Sequence, residues 1–254
     1  MSLAYDVHGA DDAPMLVLSG GLGTARAMWD AQVPAFSSRY RVLRHDLPGH
    51  GASPTPNGTL DVGDIGASVL ELLDELSVPR VSFCGLSLGG MVGMWIAAEA
   101  PHRIDRLVLS CTGALLGSPE VYAECAARVR VEGTDVALDG ARERWFTPAF
   151  RDTPEAQAIL DQLRTTSPLG YAACCEAVAR FDFRDRLPSI AAPTLVLYGA
   201  EDPVTPPDVI DTLASGIAGA ETVSIAQAAH LANVEQPEAF SAAVLRHLEE
   251  RVAA

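Results

Sequence analysis

At 254 residues, with 48% hydrophobic but only 6% aromatic content and no Ser/Gly-rich linker, the chain suits one α/β domain with a modest insertion and a core of Leu, Val, Ala and Ile. The 18 basic and 33 acidic residues give a formal charge of −15, a field that repels phosphate backbones and anionic membranes, so neither nucleic acid nor a membrane is an expected partner. Five cysteines, odd in number and without C-x-x-C spacing, read as reduced thiols; with no basic leader and no apolar run of roughly 18 residues, the expected location is the cytoplasm.

In chain order, Leu3–Val7 reads as an antiparallel edge strand, followed by strands at Met15–Ser19 and Tyr40–Asp46. A helix is expected at Leu60–Leu76, a strand at Val81–Cys84, a helix at Met91–Ala100 and a strand at Leu107–Cys111. Several of these strands are apolar on both faces, as parallel strands covered by helices are. From Gly113 to Pro188 the alternation stops. Glu-, Arg- and Ala-rich helical patterns follow one another there, cut into short helices by Pro119, Pro148, Pro154 and Pro168. Alternation resumes with a strand at Thr194–Tyr198, a helix at Pro206–Ser215, a strand at Glu221–Ile225 and a helix at Pro237–Arg251. The expected class is α/β: a mostly parallel twisted sheet flanked by helices, its core formed by residues 1–112 and 189–254, with a helical cap inserted at 113–188.

Cys84-Gly85-Leu86-Ser87-Leu88-Gly89-Gly90 closes one predicted strand and opens the next helix. A bare G-x-S-x-G arises by chance in about one chain in ten of this size, so the strand–turn–helix setting carries the argument. A sharp elbow there needs small neighbours, and Gly85 and Gly89 supply them. The competing reading is a glycine-rich turn with an idle serine. A serine hydroxyl is a weak nucleophile that needs a base within reach and an acid to fix the tautomer of that base. The chain supplies both in order after Ser87. Glu201 and Asp202 follow the strand T-L-V-L-Y, with Pro203 stiffening the turn after Asp202, and His230 follows the strand E-T-V-S-I. All lie beyond carboxyl ends of strands, where open α/β sheets build their sites. His8, His45, His50, His102 and His247 read as turn or surface residues, and no H-E-x-x-H metal motif occurs. Two backbone N–H donors for a developing oxyanion are expected from Leu88, directly after the serine, and from Leu22 in Gly20-Gly21-Leu22-Gly23.

Taken together, these residues resemble the α/β-hydrolase superfamily over essentially the whole chain, and within it the 3-oxoadipate enol-lactonases of the bacterial β-ketoadipate pathway of aromatic catabolism. The resemblance rests on S-G-G-L-G-T-A-R-A-M-W-D (19–30), R-V-L-R-H-D-L-P-G-H-G-A-S (41–53), F-C-G-L-S-L-G-G-M (83–91), D-P-V-T-P-P (202–207) and A-A-H-L-A-N-V-E-Q-P-E-A-F (228–240). More specific are G-S-P-E-V (117–121) and R-W-F-T-P-A-F (144–150), because they lie in the cap. It implies the α/β-hydrolase fold, a triad of Ser87, His230 and Asp202, a small ester or lactone substrate opened through an acyl-enzyme, and no metal or organic cofactor. Two departures stand out: Gly20-Gly21 replaces the usual Asn-Ser or His-Gly, and D-L-P-G-H-G lacks the arginine of D-x-R-G-H-G. An acidic substrate needs a local arginine against the overall field, and Arg144 beside Trp145 is the leading candidate, with Arg128, Arg130, Arg164 and Arg180 as rivals that could pair with acids on a solvated helix. Alternatives are a general carboxylesterase or perhydrolase-like enzyme, a C–C bond hydrolase of oxo-acids and, from another class, a non-catalytic ligand receptor on the same scaffold. Self-association as a homo-oligomer stays open.

Overall fold

The computed structural model describes residues 2–249. Its seven strands are β1 (Tyr5–His8), β2 (Met15–Ser19), β3 (Arg41–His45), β4 (Val81–Leu86), β5 (Ile104–Ser110), β6 (Thr194–Gly199) and β7 (Glu221–Ile225), in the sheet order β1-β3-β2-β4-β5-β6-β7. β1 runs antiparallel to β3 at the edge, and every other pairing is parallel. The helices are α1 (Val33–Ser37), α2 (Val62–Glu75), α3 (Leu88–Glu99), α4 (Pro119–Glu132), α5 (Leu138–Trp145), α6 (Pro154–Thr165), α7 (Pro168–Arg180), α8 (Pro207–Gly216), α9 (Ala232–Glu235) and α10 (Pro237–Glu249).

Side chains alternate across the sheet and give it two cores. Val17, Phe83 and Leu107 pack on one side with Ile65 and Val69 of α2, whereas Leu18, Cys84 and Val108 pack on the other with Phe36 of α1 and Phe240 of α10. β2 and β4 are buried along their whole length, which is why they read as continuous apolar runs.

Most boundaries fall within a few residues of the sequence reading, and the differences have causes. The edge strand runs Tyr5–His8 rather than Leu3–Val7 because its register is set by pairing Tyr5 with His45 and His8 with Val42. β5 begins three residues before Leu107, since Asp105 and Arg106 hide an apolar pattern that starts at Ile104. α3 begins at Leu88 rather than Met91; Gly89 and Gly90 are poor helix formers, but packing against Ser19 and Thr112 decides there, and propensity yields to it. The last two residues of the predicted helix ending at Arg251 lie outside the described residues. The one-turn helices α1 and α9 are too short to show a helical period.

Between β5 and β6 the described residues form helices and turns only. Pro119, Pro154 and Pro168 each open a helix, and Ser118, Thr153 and Ser167 cap α4, α6 and α7 by accepting backbone N–H bonds. Pro148 sits between α5 and α6. This helical layer covers the carboxyl ends of β4, β6 and β7. No helix among the described residues is long and apolar enough to cross a membrane.

Candidate active site

At the end of β4 the chain turns at Ser87 directly into α3. Ser87 takes φ 55° and ψ −117°, a region that costs a side-chain-bearing residue about 1–3 kcal/mol and persists only when its surroundings hold it. They do so here. The Ser87 N–H donates to the Ser110 carbonyl at 2.9 Å, and the Thr112 hydroxyl donates to the Ser87 carbonyl at 2.7 Å. A Cβ at Gly89 would lie 2.2 Å from the Ser19 carbonyl oxygen, and one at Gly85 2.2 Å from the Gly89 carbonyl oxygen, so only glycine fits at these two positions.

Of the two acids after β6, it is Asp202, the one preferred on sequence grounds, that meets His230: the imidazole Nδ1 lies 2.9 Å from Asp202 Oδ2, and both residues are buried. Burial alone would raise the Asp202 carboxyl, but the charge and hydrogen bond of His230, the Thr205 hydroxyl and the Val204 N–H overcome it and hold the group below the usual carboxylate range. With Nδ1–H donating to this carboxylate, Nε2 is left as the acceptor nitrogen. Ser87 and His230 both line a cavity of about 270 Å³, together with Gly21 and Leu22 from the loop after β2. That loop lies against the serine, since a Cβ on Gly21 would come within 3.4 Å of the Ser87 Cβ. Leu88 is the first residue of α3, where the helical ladder offers its N–H no acceptor. The serine and the imidazole thus share one cavity, the imidazole is backed by a carboxylate, and the loop after β2 lies against the serine.

A sequence profile of the Alpha/beta hydrolase family matches residues 7–243. The chain belongs to the alpha/beta hydrolase family. It is similar to "3-oxoadipate enol-lactonase 2" of Acinetobacter baylyi, 39% identical over 96% of this chain and 92% of the relative. Among solved structures it is similar to the enol-lactonase from Burkholderia xenovorans LB400, at TM-score 0.95 and 39% identity over 98% of this chain and 96% of that one. A hydrolase from Pseudomonas aeruginosa PA01 superimposes at TM-score 0.93 with 45% identity, over 98% of this chain and 94% of that one.

The helical segment between β5 and β6 supplies the other cavity wall, including Arg144, Trp145 and Tyr171. The rival arginines are engaged elsewhere: Arg128 with Glu132, Arg130 with Glu176, Arg164 with Asp161 and Arg180 with Asp61. Arg144 is exposed at the mouth and, among the described residues, has no carboxylate within ion-pair distance. Trp145 is 7% exposed, meets Phe146 edge-on at 6.4 Å, and lines the cavity as well, so it packs beneath the cap and faces the site at once. Its carbonyl accepts the Leu231 N–H at 3.0 Å, which ties the cap to the histidine loop. Glu235 adds a second tie, accepting from the Thr147 N–H and hydroxyl of the cap and from the Ala229 N–H beside His230.

His50, assigned to a turn on sequence grounds, is a strut. It is fully buried; Nδ1–H donates to the Pro48 carbonyl at 2.9 Å, while Nε2 accepts the Gly23 N–H at 2.9 Å, one residue past Leu22. Burial pushes its pKa down to about 4, so it is neutral and keeps its acceptor lone pair at neutral pH. Its sequence signal was only its place in D-L-P-G-H-G, joined to the glycine loop across 27 positions. Replacing it with leucine, of similar size but without hydrogen bonds, is expected to misaim the Leu22 N–H and lower kcat by about tenfold to a hundredfold with KM little changed. His50→Gln, whose amide oxygen can still accept from Gly23, should recover most of that loss; steady-state ester hydrolysis by the two variants decides, and equal activity of His50→Leu and wild type would refute the strut.

Proposed function

We propose that this hydrolase opens a small carboxylate-bearing lactone, of the 3-oxoadipate enol-lactone type, through an acyl-enzyme on Ser87. The observation that carries this reading is one small cavity holding Ser87 and His230 at its floor and the carboxylate-free Arg144 at its rim. A volume of about 270 Å³ suits a metabolite rather than a long acyl chain. Similarity to proteins named as enol-lactonases supports it, and in this reading the reaction belongs to aromatic catabolism.

His230 Nε2 takes the Ser87 proton as Oγ adds to the ring carbonyl, and the Leu22 and Leu88 N–H groups receive the negative oxygen. Asp202 stabilises the imidazolium. Collapse breaks the ring C–O bond, and the leaving oxygen departs as an enolate, a better leaving group than an alkoxide, which takes up a proton and tautomerises to the ketone. Water deprotonated by His230 then attacks the acyl-enzyme and frees the dicarboxylic oxo-acid. Every step uses side chains and backbone of this chain. In this reading residues 113–188 act as a cap on a core of 1–112 and 189–254, with Trp145 and Arg144 as its contribution to the substrate wall.

Parallel assays on the enol-lactone and on p-nitrophenyl acetate test the proposal. The lactone should give much the larger kcat/KM; comparable values would favour a broad carboxylesterase. Arg144→Gln should lower kcat/KM on the lactone by about tenfold, mainly through KM, the low end for a charged hydrogen bond because the site is solvent-exposed. The neutral ester should be hydrolysed as before, and an equal loss on both substrates would remove Arg144 from carboxylate recognition.

A further inference from the structure

The mechanism makes no use of two thiols that stand in the same cavity. Cys125 on α4 and Cys175 on α7 both line it, on two cap helices that pack closely against each other. The two thiols and the Tyr171 hydroxyl are side-chain neighbours, each acting on the others' ionisation. Of the five cysteines only Cys125 is partly exposed; Cys84, Cys111, Cys174 and Cys175 are buried at 0% exposure. Their reactivities diverge accordingly. The hydrogen bond from Cys175, against the cost of burial and with help from the charges of Arg144 and Arg128, pulls the Cys125 thiol down to about 6, whereas burial pushes Cys111 and Cys174 up to about 12. Cys175, as the donor, is held protonated.

We propose that Cys125 and Cys175 are a peroxide-sensitive pair whose oxidation staples α4 to α7 across the cavity and closes access to Ser87. This inference rests on the cavity being the substrate cavity. The Cys125 thiolate attacks one oxygen of hydrogen peroxide, the O–O bond breaks, hydroxide leaves, and Cys125 becomes a sulfenic acid. The Cys175 sulfur then attacks that sulfenyl sulfur, the S–O bond breaks, and hydroxide leaves with the Cys175 proton as water. The two sulfurs give up two electrons in all, and one peroxide becomes two waters. Closure follows from geometry. Neighbouring thiols must draw together to an S–S bond of about 2 Å, and the walls contributed by Tyr122 of α4 and Val178 of α7 move with them.

The test treats the full chain with hydrogen peroxide, maps the thiols by non-reducing peptide mass analysis, and follows labelling of Ser87 by a fluorophosphonate. A Cys125–Cys175 linked peptide, lighter by two hydrogens, should appear as labelling slows by at least about tenfold, the scale set by a wall displaced by an ångström or more. Dithiothreitol should restore the rate. Cys125→Ser and Cys175→Ala should each keep their own starting labelling rate through the same treatment. Oxidation of Cys125 without the link, or the link without slower labelling, overturns the proposal. Failure of the reduced protein to label at all would instead count against Ser87 as the nucleophile, while the peptide map would still decide whether the pair joins.

Discussion

Ser87→Ala is expected to lower kcat by about 10⁴- to 10⁶-fold while leaving the fold intact, because the acyl-enzyme route then has no nucleophile and only the oxyanion donors and substrate binding remain. Loss on this scale is specific to the reaction, since nothing in the packing depends on the hydroxyl: the hydrogen bonds that hold the elbow run through the Ser87 backbone N–H and carbonyl. Steady-state kinetics on the lactone and on a neutral ester, with circular dichroism to verify folding, provide the measurement. Fluorophosphonate labelling should vanish in the same variant. Retention of more than about a tenth of the rate, or labelling at another residue, would remove Ser87 from the nucleophile role and assign it to another residue, whereas a wild-type chain that neither hydrolyses nor labels would fit the receptor reading.

How far this site can be read from the sequence depends on whether a residue acts through its own local geometry or through a distant partner. The elbow is legible because the strain at Ser87 demands glycine at Gly85 and Gly89, and that demand leaves a local signature. Parallel strands are legible for a similar reason, since burial on both faces writes a continuous apolar run. The contact between Asp202 and His230 is legible only as chain order, because the sheet places β6 beside β7 and delivers both loops to one end. Which arginine stays unpaired is not legible. Arg130 finds Glu176 across 46 positions and Arg180 finds Asp61 across 119, so the choice is made by helix packing. His50 and Glu235 were hidden because both act on backbone groups of other loops, Glu235 reaching Thr147 across 88 positions. Adjacent Cys174 and Cys175 look equivalent in sequence, but a helix turns about 100° per residue. That rotation aims Cys174 at the Pro48 carbonyl, at 3.7 Å, and Cys175 at the cavity.

Lowering the pH from 7 to 4.5 is expected to destabilise the fold, largely through His45 and His50. Both are buried and neutral, and burial pushes each pKa from 6.5 down to about 4. Above pH 6.5 neither state binds the proton and the imidazoles contribute no pH dependence. Between 6.5 and about 4 the unfolded chain is protonated and the folded one is not, so stability falls as pH falls; below about 4 both states are protonated and this loss is complete. At pH 4.5 the penalty approaches about 3 kcal/mol for each imidazole, an upper figure because water entry softens it. Protonating carboxylates pulls the other way, since it relaxes the self-repulsion of a chain carrying −15. That opposing effect is shared by wild type and His50→Gln, so the difference between them isolates the imidazole. The stability gap between the two, from urea unfolding at each pH, should shift by about 2–3 kcal/mol in favour of the variant between pH 7 and 4.5. A gap that stays constant would mean that His50 takes up a proton in the fold as readily as in the unfolded chain, so that neither burial nor its bond to the Gly23 N–H holds it neutral in acid.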